Sequence, residues 1–181
     1  MKKQVGLWQL AGFATTSLVG TLLHFLYEWL GEALWIAPFS GVNESTWEHM
    51  KLLYWPMLAF ALLQSLFFRD RKDFWCIKLR GTLAGLVLIP VLFYTYNGVI
   101  GQSPDWINVA IFFVSAAVAY TYETRLFKRS EAAKTDSRLS LHGINLCAAV
   151  LCAIGVLFTV FTFLTPQIGI FKDPLTGTYG I

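Results

Sequence analysis

Hydrophobic and polar positions divide the chain into five long apolar runs separated by short polar stretches. The runs cover about residues 5–30, 45–68, 75–100, 104–127 and 141–164, and each is near the roughly 20 residues a helix needs to cross a hydrocarbon core about 30 Å thick. The pattern predicts an all-α polytopic membrane protein: one integral membrane domain over residues 1–181, built as a single bundle of five transmembrane helices with an outer-face tail at 165–181.

Within the first run, Ser17, Thr21, His24 and Glu28 recur at near four-residue steps beside Gly20. This predicts a polar, small-residue stripe turned toward other helices. Residues 31–43 mix the helix breakers Pro38 and Gly41 with Leu34, Trp35, Ile36 and Phe39, which predicts an interfacial or shallow re-entrant link. Ser45 followed by Glu48 has capping-box spacing at the start of the second helix. Pro56 and Pro90 predict kinks in the second and third helices. Ser103 is the expected N-cap of the fourth helix, with Pro104 at its first position. In the tail, Asp173, Pro174 and Gly177 predict an ordered turn, and the Phe, Leu and Tyr residues around it predict packing onto the bundle.

Composition supports the bilayer as solvent. The chain has 181 residues, 56% of them hydrophobic and only 14% charged, and a mean hydropathy of +0.56; a soluble domain carries about a quarter charged residues. The net charge of +3 implies no nucleic-acid surface, because the basic residues are gathered near the N-terminus, at 69–80 and at 125–138. Only Lys51 and Lys172 of the 14 Lys and Arg residues fall elsewhere. The positive-inside rule then predicts a cytoplasmic N-terminus, an outer C-terminus and residence in the inner (plasma) membrane. Cys76, Cys147 and Cys152 form an odd set without metal-ligand spacing and are expected to be packing residues. No inverted repeat is evident, and HExxH, Gly-rich phosphate-loop and GxSxG motifs are absent from the sequence.

The candidate chemistry centres on Gly41–Lys51, GVNESTWEHMK. The first helix travels outward and the second inward, so His24 and Glu28 reach the depth of Asn43, Glu44, Glu48, His49 and Lys51. Tyr94 and Asn97 are expected to join them, with Asp105 and Asn108. Ionisable groups within a membrane are costly and usually face a bundle interior or a wet cavity, which makes this cluster the expected ligand-binding site. His24, Glu28, Glu48 and His49 would suit Zn²⁺ or Mn²⁺. Transport or sensing of a cation or small polar ligand is the leading reading, and transport through so narrow a bundle would call for a homo-oligomer. A metal- or proton-dependent enzyme acting on a lipid-soluble substrate is the second reading. A structural or partner-binding subunit is the third, with Lys51 neutralising Glu28 or Glu44, Glu48 acting as a cap and His24 bonded to Tyr27. Glu123, His142 and Asn145 form a thinner group near the other end, expected to be structural, with Glu123 paired to a basic residue.

The segments VNESTWEHMK, HFLYEW from His24 to Trp29 and FKDPLTGTYGI resemble a family of small multi-pass bacterial membrane proteins of unknown function, sharing a VNESxWEHxK signature. The resemblance covers essentially the whole chain. It implies a bacterial multi-pass membrane protein and brings no activity, substrate or site residue with it.

Overall fold

The computed structural model describes residues 2–101, 104–132 and 141–181, with the side chains of 2, 3, 105 and 141–145 outside that description. It contains five helices: α1 (Lys2–Trp29), α2 (Thr46–Ser65), α3 (Phe74–Ile100), α4 (Asp105–Ala132) and α5 (Leu141–Phe163). A short 3₁₀ turn at Gly169–Phe171 follows in the tail. α4 starts one residue after Pro104, while the expected cap Ser103 lies outside the described residues.

Four helices contain stretches long and apolar enough to cross a membrane: Gln4–Trp29, Phe74–Ile100, Trp106–Ala132 and Leu146–Phe163. α2 does not qualify, and its place in the bundle explains why. It packs against every other helix, so protein rather than lipid surrounds it. Polar residues are admissible there when they find partners. Thr46, Glu48, Lys51 and Gln64 are all buried along it, beside Leu52, Leu53, Tyr54, Met57 and Phe60. The main core joins those apolar residues to Leu86 and Ile89 of α3, Ile111, Phe112 and Tyr120 of α4, and Leu151 and Phe158 of α5. The Tyr54 hydroxyl donates to the Leu151 carbonyl at 2.6 Å and ties α2 to α5.

The face that α1 buries is rotated from the predicted stripe. Val5, Gln9, Gly12, Thr16 and Gly20 are buried, whereas Ser17 is half-buried and Thr21 and Glu28 are exposed. Close approach sets this register: a Cβ on Gly20 would lie 2.5 Å from the Phe112 ring and 2.8 Å from the Leu52 carbonyl oxygen, so α2 and α4 can only close onto α1 where the side chain is absent. One turn below, Thr16 and Tyr120 share a buried hydroxyl hydrogen bond of 2.7 Å.

Two sequence expectations at the basic end are corrected. Lys78, read as a loop charge, is buried in α3 and pairs with Glu123 of α4 at 2.6 Å. Three rings, of Phe60, Phe74 and Tyr120, stand 5.4–5.9 Å from its ammonium group, an arrangement that stabilises a desolvated cation. Gly81 gives the Glu123 carboxylate room against α3, since a Cβ there would lie 2.6 Å from Oε1. The expected pairing of Glu123 is therefore present, with a partner the sequence reading had assigned to a loop. Cys76 and Cys147, expected to be packing thiols, form a disulfide joining α3 to α5, while Cys152 is free and exposed. Helix packing brings these two cysteines together across 71 residues, a separation that carries no local spacing signal.

Candidate functional site

The link between α1 and α2 builds one wall of the site. It folds back over the bundle end with Ile36, Ala37, Pro38 and Ser40 buried and Leu34, Trp35 and Phe39 exposed. Its carbonyls, which a buried loop must satisfy, are taken by α2: Ala37 accepts from Lys51 Nζ at 2.8 Å and Pro38 from Trp55 Nε1 at 2.8 Å. Ser40 Oγ accepts from the Tyr27 amide and donates to the Leu23 carbonyl, fixing the link to the end of α1.

The start of α2 is capped differently from a full capping box. Ser45 Oγ accepts from the Glu48 amide at 3.4 Å, but the Ser45 amide donates to Asn43 Oδ1 at 2.9 Å. Glu48 instead accepts from the Val42 amide at 3.0 Å and forms a 2.6 Å ion pair with Lys51. Lys51 is wholly buried and also donates to Thr162 of α5 at 3.0 Å. Together Glu48 and Lys51 fasten the link, α2 and α5. Their bonds hold them away from the cavity described below.

Glu44 stands between the two histidines. Its carboxylate oxygens lie 3.5 Å from His24 Nε2 and 3.6 Å from His49 Nε2, and the imidazole rings are 5.7 Å apart. One ligand atom from each of His24, Glu44 and His49 lies within 4.8 Å of the others, a group that could hold a metal ion. The backbone selects the tautomer of His49. Its Nδ1 is 3.0 Å from the Ser45 carbonyl, which can only accept, so Nδ1 carries the proton and Nε2 presents its lone pair toward Glu44.

The tail holds Glu44 from the other side. Asp173 accepts from the amides of Glu44 at 3.4 Å, Leu175 at 2.7 Å and Thr176 at 3.3 Å. Asn43 donates to the Gly180 carbonyl at 3.0 Å, and Phe171 packs on Trp47 and Phe161. The ordered turn expected around Asp173 is present, closed by the Gly177 amide on the Asp173 carbonyl. Its role as a clasp on the Asn43–Glu44 backbone was not legible in the sequence.

The predicted four-residue cluster is thus corrected. His24 and His49 come together, but their carboxylate is Glu44, not Glu28 or Glu48. Glu28 is exposed, because the buried face at the end of α1 passes through Leu23 and Tyr27 and leaves the next position outside. Tyr27, considered as a partner for His24, is itself buried beneath the link with its amide on Ser40. Tyr94 is exposed and Asn97 half-buried, and neither lines the cavity, since that part of α3 faces the tail: a Cβ on Gly169 would lie 3.8 Å from the Tyr94 hydroxyl. Asn108 does line it. The side chains of Asp105, His142 and Asn145 lie outside the described residues.

A cavity of about 380 Å³ opens from the His24–Glu44–His49 group along the seam between α1 and α4. His24, Glu44, His49 and Asn108 line its polar end, while Phe25, Val109, Phe112 and Phe113 contribute apolar wall. Leu175 of the tail contributes a further apolar surface. Comparison with curated proteins and with solved structures finds no match. The sequence model of a family of unknown function, DUF6512, matches residues 1–181, and the chain belongs to that family.

Proposed function

We propose that this is a membrane protein whose His24, Glu44 and His49 bind a divalent cation, Zn²⁺ or Mn²⁺, at the outer end of a five-helix bundle. The observation that carries the reading is the lone pair of His49 Nε2 directed at the Glu44 carboxylate. Two electron-rich atoms 3.6 Å apart repel unless a cation or a proton lies between them. His24 supplies the third donor. Zinc bonds of about 2.1 Å place tetrahedral ligand atoms about 3.4 Å apart, which the separations of 3.5 and 3.6 Å to Glu44 nearly match. The Nδ1–H of His49 on the Ser45 carbonyl is the kind of outer hydrogen bond that orients a metal-binding imidazole.

Three protein ligands leave a fourth position free, the arrangement of zinc sites that act on a water or a substrate rather than of closed structural ones. The adjoining apolar cavity favours sensing or metal-dependent chemistry on a lipid-soluble molecule over passage of the ion. Below it the α1–α4 seam is filled by Phe112 against Gly20 and Tyr120 against Gly12. In this reading α2 also crosses the membrane, its 20 residues spanning about 30 Å inside a sleeve of the other helices. The basic residues gathered at the opposite end put that end in the cytoplasm.

Elemental analysis and zinc titration of the purified protein test the metal. Near-stoichiometric zinc or manganese, lost on His24→Ala or His49→Ala, is the expected result; wild-type protein that takes up neither ion overturns the reading. Reporter fusions after Lys72 and after Ile181 should report opposite sides of the membrane, and agreement between them would sink the topology.

A further inference from the structure

The cavity has two chemical ends, and a ligand must satisfy both. At one end are the metal-binding group, the Asn108 side chain and the Thr21 hydroxyl. At the other, Phe25, Val109 and Phe113 form a wall whose outward parts are exposed, at 41%, 54% and 36%. α1 and α4 are both long and apolar enough to cross a membrane, so this mouth opens sideways where hydrocarbon surrounds a spanning bundle. A small polar ligand would strip water from itself against the aromatic wall and gain nothing there. A wholly apolar ligand would leave the polar end desolvated and unpaired.

We infer that the cavity seats a single-chain amphiphile with an anionic oxygen head group, entering from the membrane. The head group lies at the His24–Glu44–His49 end, and the chain runs along the α1–α4 seam past Val109 and Phe113. This rests on the metal reading above for the head group: a bound divalent ion leaves a position that a carboxylate or phosphate oxygen can fill, and hard anionic oxygens suit both Zn²⁺ and Mn²⁺. Asn108 and Thr21 add donors in reach of the same end. The chain assignment rests on the wall alone. Leu175, on the tail that also holds the Glu44 backbone through Asp173, stands over the cavity and links occupancy of the chain site to the carboxylate of the metal group.

The test uses zinc-loaded full-length protein in nanodiscs and a diazirine-tagged hexadecanoic acid as the probe. Photolabelling should map to residues 20–25 and 108–113, and competition should come from hexadecanoic acid and from single-chain lysophosphatidic acid but not from hexadecanol. The acid that competes at the lower concentration identifies the head group as carboxylate or phosphate. Each displaced methylene changes affinity roughly fourfold, so Val109→Trp, and separately Thr21→Phe, should reduce labelling at least about tenfold while zinc uptake stays as in the wild type. Both positions are exposed, and retained zinc uptake reports an intact fold. Labelling spread evenly around the bundle, or unmoved by both substitutions, overturns the inference and leaves the metal reading intact. Equal competition by hexadecanol overturns the anionic head. Site-specific labelling in protein that binds no metal overturns the metal reading and upholds the chain site.

Discussion

Replacing Lys51 by Met isolates the energetic role of the buried pair beside the site. The ammonium group is fully buried and the Glu48 side chain only 5% exposed. Lys51 reaches three acceptors: Glu48 at 2.6 Å, the Ala37 carbonyl at 2.8 Å and Thr162 Oγ1 at 3.0 Å. Methionine matches the stem in length and leaves little cavity, so packing loss is small. What remains is a buried carboxylate with its counter-charge gone and a link carbonyl with its donor gone. Breaking a buried ion pair in this one-sided way costs about 3–5 kcal/mol, and a buried acceptor left unpaired adds about 1–3 kcal/mol. The expected loss is therefore at or above the top of the first range, enough to take a marginal bundle close to unfolding. Converting Glu48 to Gln in the same protein removes the stranded charge, and the double variant should recover at least about 2 kcal/mol of the loss. Unfolding by dodecyl sulfate titration in mixed micelles, followed by helical circular dichroism, measures both. A Lys51→Met protein within about 1 kcal/mol of the wild type, or a double variant as unstable as the single one, would refute the reasoning.

Glu44→Gln should weaken zinc binding at least about 100-fold, more than an outer-shell change, whereas Glu28→Gln should leave it unchanged; isothermal titration separates the two. Asp73, just before α3, feels burial pushing its carboxyl up, but bonds to Arg71 and Ser130 outweigh it and hold the group below the usual carboxylate range. A carboxyl held low in the folded state stabilises above its unfolded pKa of about 3.9 and loses that contribution as pH falls through the folded value. Thermal stability should thus fall below about pH 4, with a shallower slope in Asp73→Asn. Maleimide tagging of SDS-unfolded, unreduced protein should modify Cys152 alone, with Cys76 and Cys147 added after reduction. Cys76→Ser should cost about 2–4 kcal/mol in the oxidised protein. In cells the bond reports its compartment, since a cytoplasmic location at the basic end would keep both thiols reduced.

The helices were legible because apolar runs of this length have few alternatives, and their ends were displaced only by a few residues, as at α4, which continues to Ala132. The meeting of His24 with the start of α2 followed from two antiparallel neighbours joined by a short link. Which carboxylate they would meet did not follow. A four-residue step puts Glu28 on the same side as His24 in an ideal helix, but the contact of Gly20 with Phe112 and the docking of the link on Tyr27 set the rotation of α1. Glu48 had cap spacing, yet the Val42 amide and Lys51 compete for the same side chain and hold it. Lys78 shows the same limit from the other side: a lysine in a basic stretch reads as loop until its partner Glu123, 45 residues away, is placed beside it.

The clasp formed by Asp173 and Gly180 on the Asn43–Glu44 backbone gives the site a birth order. His24, Glu44 and His49 leave the ribosome early, and α1 and α2 can pair as a hairpin while most of the chain is still unmade. The carboxylate between the histidines lacks its outer support until α5 has been inserted and residues 171–180 have been delivered to the same face. In the topology proposed here, that delivery is a translocation event. Metal capture would then act as a late checkpoint in biogenesis, marking chains whose final helix entered the membrane in the correct direction.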